Sequence, residues 1–82
     1  MDKYYITFRS VTYAQKGERA FKEGGMCCCL QRAPRWMESR GCGYAIQVEN
    51  PGAAAEILRE KGLTWERIYR VGRENEHEEV RL

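Results

Sequence analysis

Four cysteines are the residues of this 82-residue chain best suited to chemistry. Cys27, Cys28 and Cys29 are consecutive, and Cys42 lies between two glycines. The charged start of the chain has no apolar leader of a secreted protein, so we expect free thiols rather than a disulfide framework. Metal binding, redox chemistry, sulfur chemistry and simple packing are the four uses that remain open for these thiols.

Cys42 has the sequence surroundings of a reactive thiol. Gly41 and Gly43 permit unusual backbone angles and allow a ligand to approach the main chain closely. Arg35 and Arg40 bring positive charge, which favours the thiolate, the nucleophilic form of cysteine. The alternative is that Cys42 is only a small residue at the start of a strand and that both arginines are solvated.

The three consecutive cysteines allow a structural and two functional interpretations. On a strand, Cys28 would be buried as a small apolar residue, while Cys27 and Cys29 would share the opposite face. Cys29, with Cys27, would then be a resolving thiol for an oxidised or persulfidated Cys42. The other functional alternative is a soft-metal site formed by Cys27, Cys29 and Cys42, with His77 only a remote fourth ligand for zinc.

The elements that must position these thiols follow from the apolar periodicity. The patterns predict strands over 4–8, 26–30, 43–49 and 65–71 and helices over 12–24 and 50–62, the first helix being capped by Thr12. The order predicts an α+β, ferredoxin-like βαββαβ fold, with a four-stranded antiparallel sheet and both helices on one face. A loop over 31–41 joins the second and third strands, which would bring Cys42 toward the Cys29 end.

Length and charge limit the remaining possibilities. Residues 1–73 are expected to form a single domain, and the charged segment 74–82 a flexible tail. No apolar run is long enough for a membrane span, and a net charge of +2 argues against nucleic-acid binding, so a cytoplasmic protein is expected. The chain has no serine-histidine-aspartate set, catalytic carboxylate pair or phosphate-binding glycine loop.

Several motifs together resemble the selenium/sulfur carrier protein-like family of small bacterial proteins. The resemblance covers residues 4–71 and rests on Tyr5-Ile6-Thr7-Phe8-Arg9-Ser10, the helix that follows, Pro34-Arg35 and Ser39-Arg40-Gly41-Cys42-Gly43. The consecutive cysteines and the longer acidic tail depart from the family pattern. The resemblance implies that Cys42 is a carrier thiol that accepts sulfur or selenium as a persulfide or selenopersulfide.

If Cys42 is the carrier thiol, the neighbouring residues have supporting roles. Arg35 and Arg40 would hold the thiolate and neutralise the terminal anion, Pro34 would stiffen the loop, and Gly43 would give steric access beside Cys42. Partners would be sulfur or selenium donors and acceptors of the desulfurase or sulfurtransferase type. A carrier without a cofactor, rather than a stand-alone enzyme, is therefore expected.

Two alternatives stay open beside the carrier. One is a non-catalytic soft-metal-binding or thiol redox module that uses Cys27, Cys29 and Cys42. The other concerns assembly, in which the open face of the sheet is buried against a second copy in a homodimer.

Overall fold

The computed structural model describes residues 3–37, 43–74 and 76–82. Its elements are the strands β1 (Lys3–Thr7), β2 (Cys28–Arg32), β3 (Tyr44–Val48), β4 (Arg67–Val71) and β5 (His77–Val80), the helices α1 (Val11–Glu23) and α2 (Pro51–Glu60), and a short 3₁₀ helix, η1 (Arg35–Met37). The five strands form one sheet in the order β2-β3-β1-β4-β5, and every neighbouring pair is antiparallel. The predicted α+β class, with two helices and an antiparallel sheet, is confirmed.

The predicted number of four strands is wrong, because the described residues form five. Strand β5 lies in the segment 74–82, which has no alternation of apolar and polar residues. It pairs with β4 instead through its backbone and through two ion pairs, Arg70 Nε to Glu78 Oε1 at 2.7 Å and Arg67 Nη1 to Glu79 Oε1 at 3.0 Å. The ferredoxin-like description and the division into domain and tail stay predictions.

The N-terminal cap of helix α1 lies two residues earlier than predicted. The hydroxyl of Ser10, not that of Thr12, caps the helix by accepting a hydrogen bond from the backbone N–H of Tyr13 at 3.3 Å. Thr12 is an exposed residue of the first turn. The predicted glycine end is confirmed, since Gly24 caps α1 and Gly25 follows with φ of 75°.

Helix α2 has the predicted start. The side chain of Asn50 accepts a hydrogen bond from the N–H of Ala53 at 3.1 Å, and Pro51 occupies the first turn, where its missing N–H is not needed. After the helix, Leu63 N–H donates to the carbonyl of Leu58 at 2.8 Å, which turns the chain back toward the sheet.

The hydrophobic core lies between the two helices and one face of the sheet. Ile46, Ile6 and Ile68 are register partners on three adjacent strands and are fully or almost fully buried. The helices cover this row with small and large apolar side chains, namely Ala14, Phe21, Ala54 and Leu58. Both helices therefore pack on the same face, as predicted.

Strand β2 and the connection after it differ from the predicted boundaries. The strand begins at Cys28 rather than Met26 and continues through Gln31 and Arg32, which were assigned to the loop. Gln31 pairs with Ala45 on β3, and its side-chain amide also donates to the Oε1 atom of Gln47 at 3.4 Å. The predicted loop also contains η1.

Within the described ranges, neither helix has the length and apolar character that a membrane crossing requires.

A substitution at Gly17 tests the packing of α1 on the sheet. A Cβ atom at this position would lie 2.9 Å from Cζ of the buried Phe8 ring. We expect Gly17→Ala to lower the free energy of unfolding by about 1–2 kcal/mol in urea denaturation, because overpacking outweighs the gain in helix propensity.

The matched control is Gly52→Ala in α2, where the new Cβ meets only Asn50 Oδ1 at 3.5 Å. This variant should be as stable as the wild type or more stable by up to about 1 kcal/mol. Equal stability of Gly17→Ala and wild type would contradict the close approach of α1 to Phe8.

Candidate thiol site

The connection between β2 and β3 is closed by hydrogen bonds at its base. The N–H of Ala33 donates to the carbonyl of Gly43 at 2.9 Å, and the N–H of Met37 donates to the carbonyl of Pro34 at 3.0 Å. Met37 is buried, whereas Pro34 and Arg35 are exposed. The structure thus brings three predicted site residues, Pro34, Arg35 and Gly43, to one end of the β2–β3 pair.

The backbone at Gly43 explains why glycine follows the candidate thiol. Gly43 has φ of 81°, in the left-handed region that residues with a Cβ rarely adopt. Cys42 itself, together with Gly41 and Arg40, lies outside the described residues. The site can therefore be described only from its flanking residues on both strands.

The consecutive cysteines divide between two faces, as predicted. Cys27 and Cys29 are exposed, while Cys28 is half-buried on the helix side. Cys28 is not fully buried, because β2 is an edge strand and its inner face lies at the margin of the core.

The Cys28 thiol is held in its protonated form. Its Sγ–H donates to the backbone carbonyl of Glu18 at 3.9 Å. Burial, and next the negative charge of Glu18, raise the pKa of Cys28 above its ordinary value. Of the three consecutive thiols, this one is the least suited to act as a nucleophile, because the thiolate is the reactive form.

The register of β2 and β3 separates Cys29 from the end that carries Gly43. Cys29 is the partner of Gln47, and Ala33 bonds to Gly43 at the other end of the pair. Four residues along β3 separate Gln47 from Gly43, about 13 Å at the rise of a strand. Cys42 directly precedes Gly43, and adjacent Cα atoms are only about 3.8 Å apart, which is much less than this separation. A disulfide needs its two Cα atoms within about 7 Å of each other. The predicted closeness of Cys42 to the Cys29 end is thus not supported by the register.

The described residues do not form a closed metal site. Among residues 3–37, 43–74 and 76–82, no three histidine, cysteine, aspartate or glutamate side chains are grouped so that they could hold an ion. His77 lies in β5, at the opposite edge of the sheet from β2, four strand spacings or about 19 Å away. The sheet order thus separates His77 from Cys27 and Cys29, and the soft-metal set that includes Cys42 extends outside the described residues.

Helix η1 reaches across the sheet face opposite the core. The Trp36 ring stacks on His77, with ring centroids 3.9 Å apart and an interplanar angle of 14°. It also meets Tyr69 edge to face at 5.2 Å and 82°. Because β2 and β5 are the two edges of the sheet, these contacts attach the β2–β3 connection to the edge farthest from β2.

Sequence reasoning missed this aromatic contact, because its three residues are far apart in the chain and one belongs to a strand that was not predicted. The only signal was a large aromatic residue, Trp36, in a predicted loop that contains three arginines. The contact also means that the face proposed for a homodimer is partly covered by the protein's own Trp36.

Two arginines that were not assigned to the site lie at or just beyond the ends of strands that neighbour Gly43 in the sheet. Arg32 is the last residue of β2, pairs with Tyr44, and holds its guanidinium 6.0 Å from the centroid of the Tyr44 ring. Arg9 follows β1 two residues after Thr7, whose partner on β3 is Ala45. Together with Arg35 they bring three arginines to this end of the sheet, where Glu66 lines a cavity with Arg9, and none of the three arginines forms an ion pair within the part of the chain that the structure describes.

Comparison with known proteins identifies one family. The family described as "putative Se/S carrier protein-like" matches residues 3–70, which is most of the chain. The resemblance found in the sequence is confirmed. No curated protein and no solved structure matches the chain.

The stack of Trp36 on His77 can be tested by removing one ring. We expect His77→Val, which keeps a residue suited to a strand, to lose about 0.5–1.5 kcal/mol of stability, the range for a pair of stacked aromatic rings. Urea denaturation followed by circular dichroism measures the loss, and tryptophan fluorescence reports the change around Trp36.

His77→Phe is the matched control, since a phenyl ring can stack on Trp36 and should retain most of the stability. If His77→Val and His77→Phe unfold at the same urea concentration as the wild type, the stack does not hold η1 on the sheet.

Proposed function

The chain belongs to the Se/S carrier protein-like family, and on that premise we propose that it carries sulfur or selenium on Cys42 and passes it between partner proteins. The family assignment is the observation that carries this proposal. It supports a selenium or sulfur carrier in general. The choice of Cys42 as the residue that carries the sulfur or selenium rests on the residues around it.

The loop end supports Cys42 as that residue. The left-handed backbone of Gly43 and the Ala33–Gly43 hydrogen bond hold the chain immediately after Cys42 at the end of the sheet. Arg32 ends β2, Arg9 follows β1 and Arg35 begins η1, and none of the three has an ion-paired carboxylate among the described residues. A cationic setting of this kind favours a thiolate and stabilises a bound anion.

The transfer itself needs only thiol chemistry. The thiolate of Cys42 attacks the outer sulfur of a donor persulfide, a new bond joins the two sulfurs, and the donor leaves as its thiolate. The product on Cys42 is a persulfide, whose terminal sulfur ionises more readily than a thiol, and Arg35 and Arg40 would neutralise that anion. An acceptor thiolate then attacks the same terminal sulfur and regenerates the thiolate of Cys42. Selenium follows the same sequence as a selenopersulfide.

Cys29 and Cys27 keep the proposed resolving role with one restriction. The β2–β3 register places Cys29 far along the strand from Gly43, so resolution would occur between two molecules rather than within one. Such exposed thiols would also serve the second candidate function, a thiol redox module, which is favoured by a cavity of about 160 Å³ lined by Cys27, Cys28 and Cys29.

The partners in this proposal are a donor of the desulfurase or sulfurtransferase type and an acceptor, all in the cytoplasm. Those enzymes catalyse the release and the use of the sulfur or selenium, so the protein acts as a carrier rather than as a stand-alone enzyme. The cationic loop end is the surface at which a donor would approach Cys42.

Intact-mass spectrometry after incubation with a small persulfide tests the proposal. Glutathione persulfide supplies sulfur, and selenodiglutathione supplies selenium in a parallel sample. We expect the wild type to gain a chalcogen adduct that dithiothreitol removes, and we expect Cys42→Ser to gain it more slowly and to a smaller extent under the same conditions, because only Cys27 and Cys29 then remain as exposed thiols of the described residues.

The matched control is a Cys27→Ser/Cys29→Ser variant, which removes both exposed thiols of the described residues and should still gain the adduct. Equal modification of Cys42→Ser and wild type would mean that Cys42 is not the carrier thiol. The redox module would then be the better account.

A further inference from the structure

The two edge strands of the sheet differ in how well they are protected from pairing with another chain. An edge strand has unpaired backbone groups, and proteins commonly protect it with charges or proline. Strand β5 contains Glu78 and Glu79 among its four residues, whereas β2 contains a single charge, Arg32, at its end and no proline. The β2 edge is thus the less protected of the two.

The hydrogen bond between Ala33 and Gly43 determines which backbone groups of β2 face outward. In an antiparallel pair, residues alternate between those bonded to the neighbouring strand and those directed away from it. Ala33 donates to Gly43 on β3, so Gln31 and Cys29 also bond toward β3. Cys28, Leu30 and Arg32 therefore direct their N–H and C=O groups to the open edge.

This alternation fits an antiparallel β2 strand from a second copy, related by a two-fold axis at Cys29. Cys28 of one copy would then lie opposite Leu30 of the other, and both have outward backbone groups. Cys29 would lie opposite Cys29 as a non-hydrogen-bonded pair, with Cα atoms about 4.5 Å apart. Disulfides span Cα distances of about 4.4–6.8 Å, so these two thiols could bond without distortion.

The side chains are compatible with the same arrangement. Cys29 is exposed and its partner within the chain is Gln47, so no described cysteine of the same chain faces it across the sheet. In the two-fold register Arg32 faces Met26 of the second copy, so like charges are not opposed. The half-buried Cys28 thiol points to the helix side and takes no part.

We propose that the outer edge of β2 is a redox-controlled dimerisation surface, at which two copies pair antiparallel and their Cys29 residues form an interchain disulfide. The short strand offers few hydrogen bonds to a partner, so the noncovalent contact alone is weak and the reduced protein is monomeric. The disulfide makes the pairing effectively intramolecular and therefore stable.

The oxidant is a low-molecular-weight disulfide. The Cys29 thiolate of one copy attacks it, forms a mixed disulfide and releases one thiolate. The Cys29 thiolate of the second copy then attacks the protein sulfur of that mixed disulfide and releases the second thiolate. Two protein thiols lose two electrons, the small disulfide is reduced to two thiols, and these take up the two protons.

Variants in which one cysteine is replaced at a time test the disulfide between the two Cys29 residues, after incubation with oxidised glutathione. We expect the wild type to form a dimer on non-reducing gels and in size-exclusion chromatography, and dithiothreitol to return it to monomer. Cys29→Ser should lose the dimer, while the matched controls Cys27→Ser, Cys28→Ser and Cys42→Ser should keep it. Loss of the dimer in a control variant but not in Cys29→Ser would overturn the proposal.

Hydrogen exchange distinguishes strand pairing from a random collision of exposed thiols. The outward N–H of Leu30 should exchange more slowly in the disulfide-linked dimer than in the monomer, while amides of β5 should be unchanged. Equal exchange of Leu30 in both states would overturn the pairing even if the disulfide forms. These outcomes are independent of the carrier proposal, because the Cys42→Ser variant serves as one of the controls.

Discussion

The antiparallel register between β2 and β3 is the constraint on which the arrangement of the thiols depends. Pairing Cys29 with Gln47 and Ala33 with Gly43 places the consecutive cysteines along an open edge and the glycine after Cys42 at the far end of the pair. One set of hydrogen bonds therefore separates two thiol regions with different surroundings. The region at the edge contains two exposed thiols and the half-buried Cys28 near Glu18, and the other region lies at the end of the sheet where Arg9 and Arg32 follow or end their strands.

Much of the fold could be predicted because it follows local rules. The buried row of Ile46, Ile6 and Ile68, the Asn50-Pro51 start of α2 and the glycine end of α1 all reflect short-range patterns of polarity and backbone preference. Strand β5 could not be predicted from such patterns. It is stabilised by pairing with β4 and by ion pairs of exposed side chains, which leave no apolar period in the sequence.

The candidate site could be predicted only in part for a similar reason. Gly43 and Arg35 stand near Cys42 in the chain, so spacing alone indicated them. Arg9 and Arg32 lie near Gly43 only because β1, β2 and β3 are neighbours, and the contact of Trp36 with His77 depends on a strand that starts forty-one residues later in the sequence. The family assignment indicates selenium or sulfur carriage, whereas the separation of the thiols became visible only in the register.

Competition among the thiols of the wild type tests most directly whether the loop end, and not the edge of β2, accepts the chalcogen. The four cysteines react with less than one equivalent of glutathione persulfide, and fragment-ion mass spectrometry then locates the added sulfur. We expect the sulfur on Cys42, because the neighbouring arginines favour its thiolate. Sulfur found first on Cys27 or Cys29, with Cys42 unmodified, would contradict the proposal.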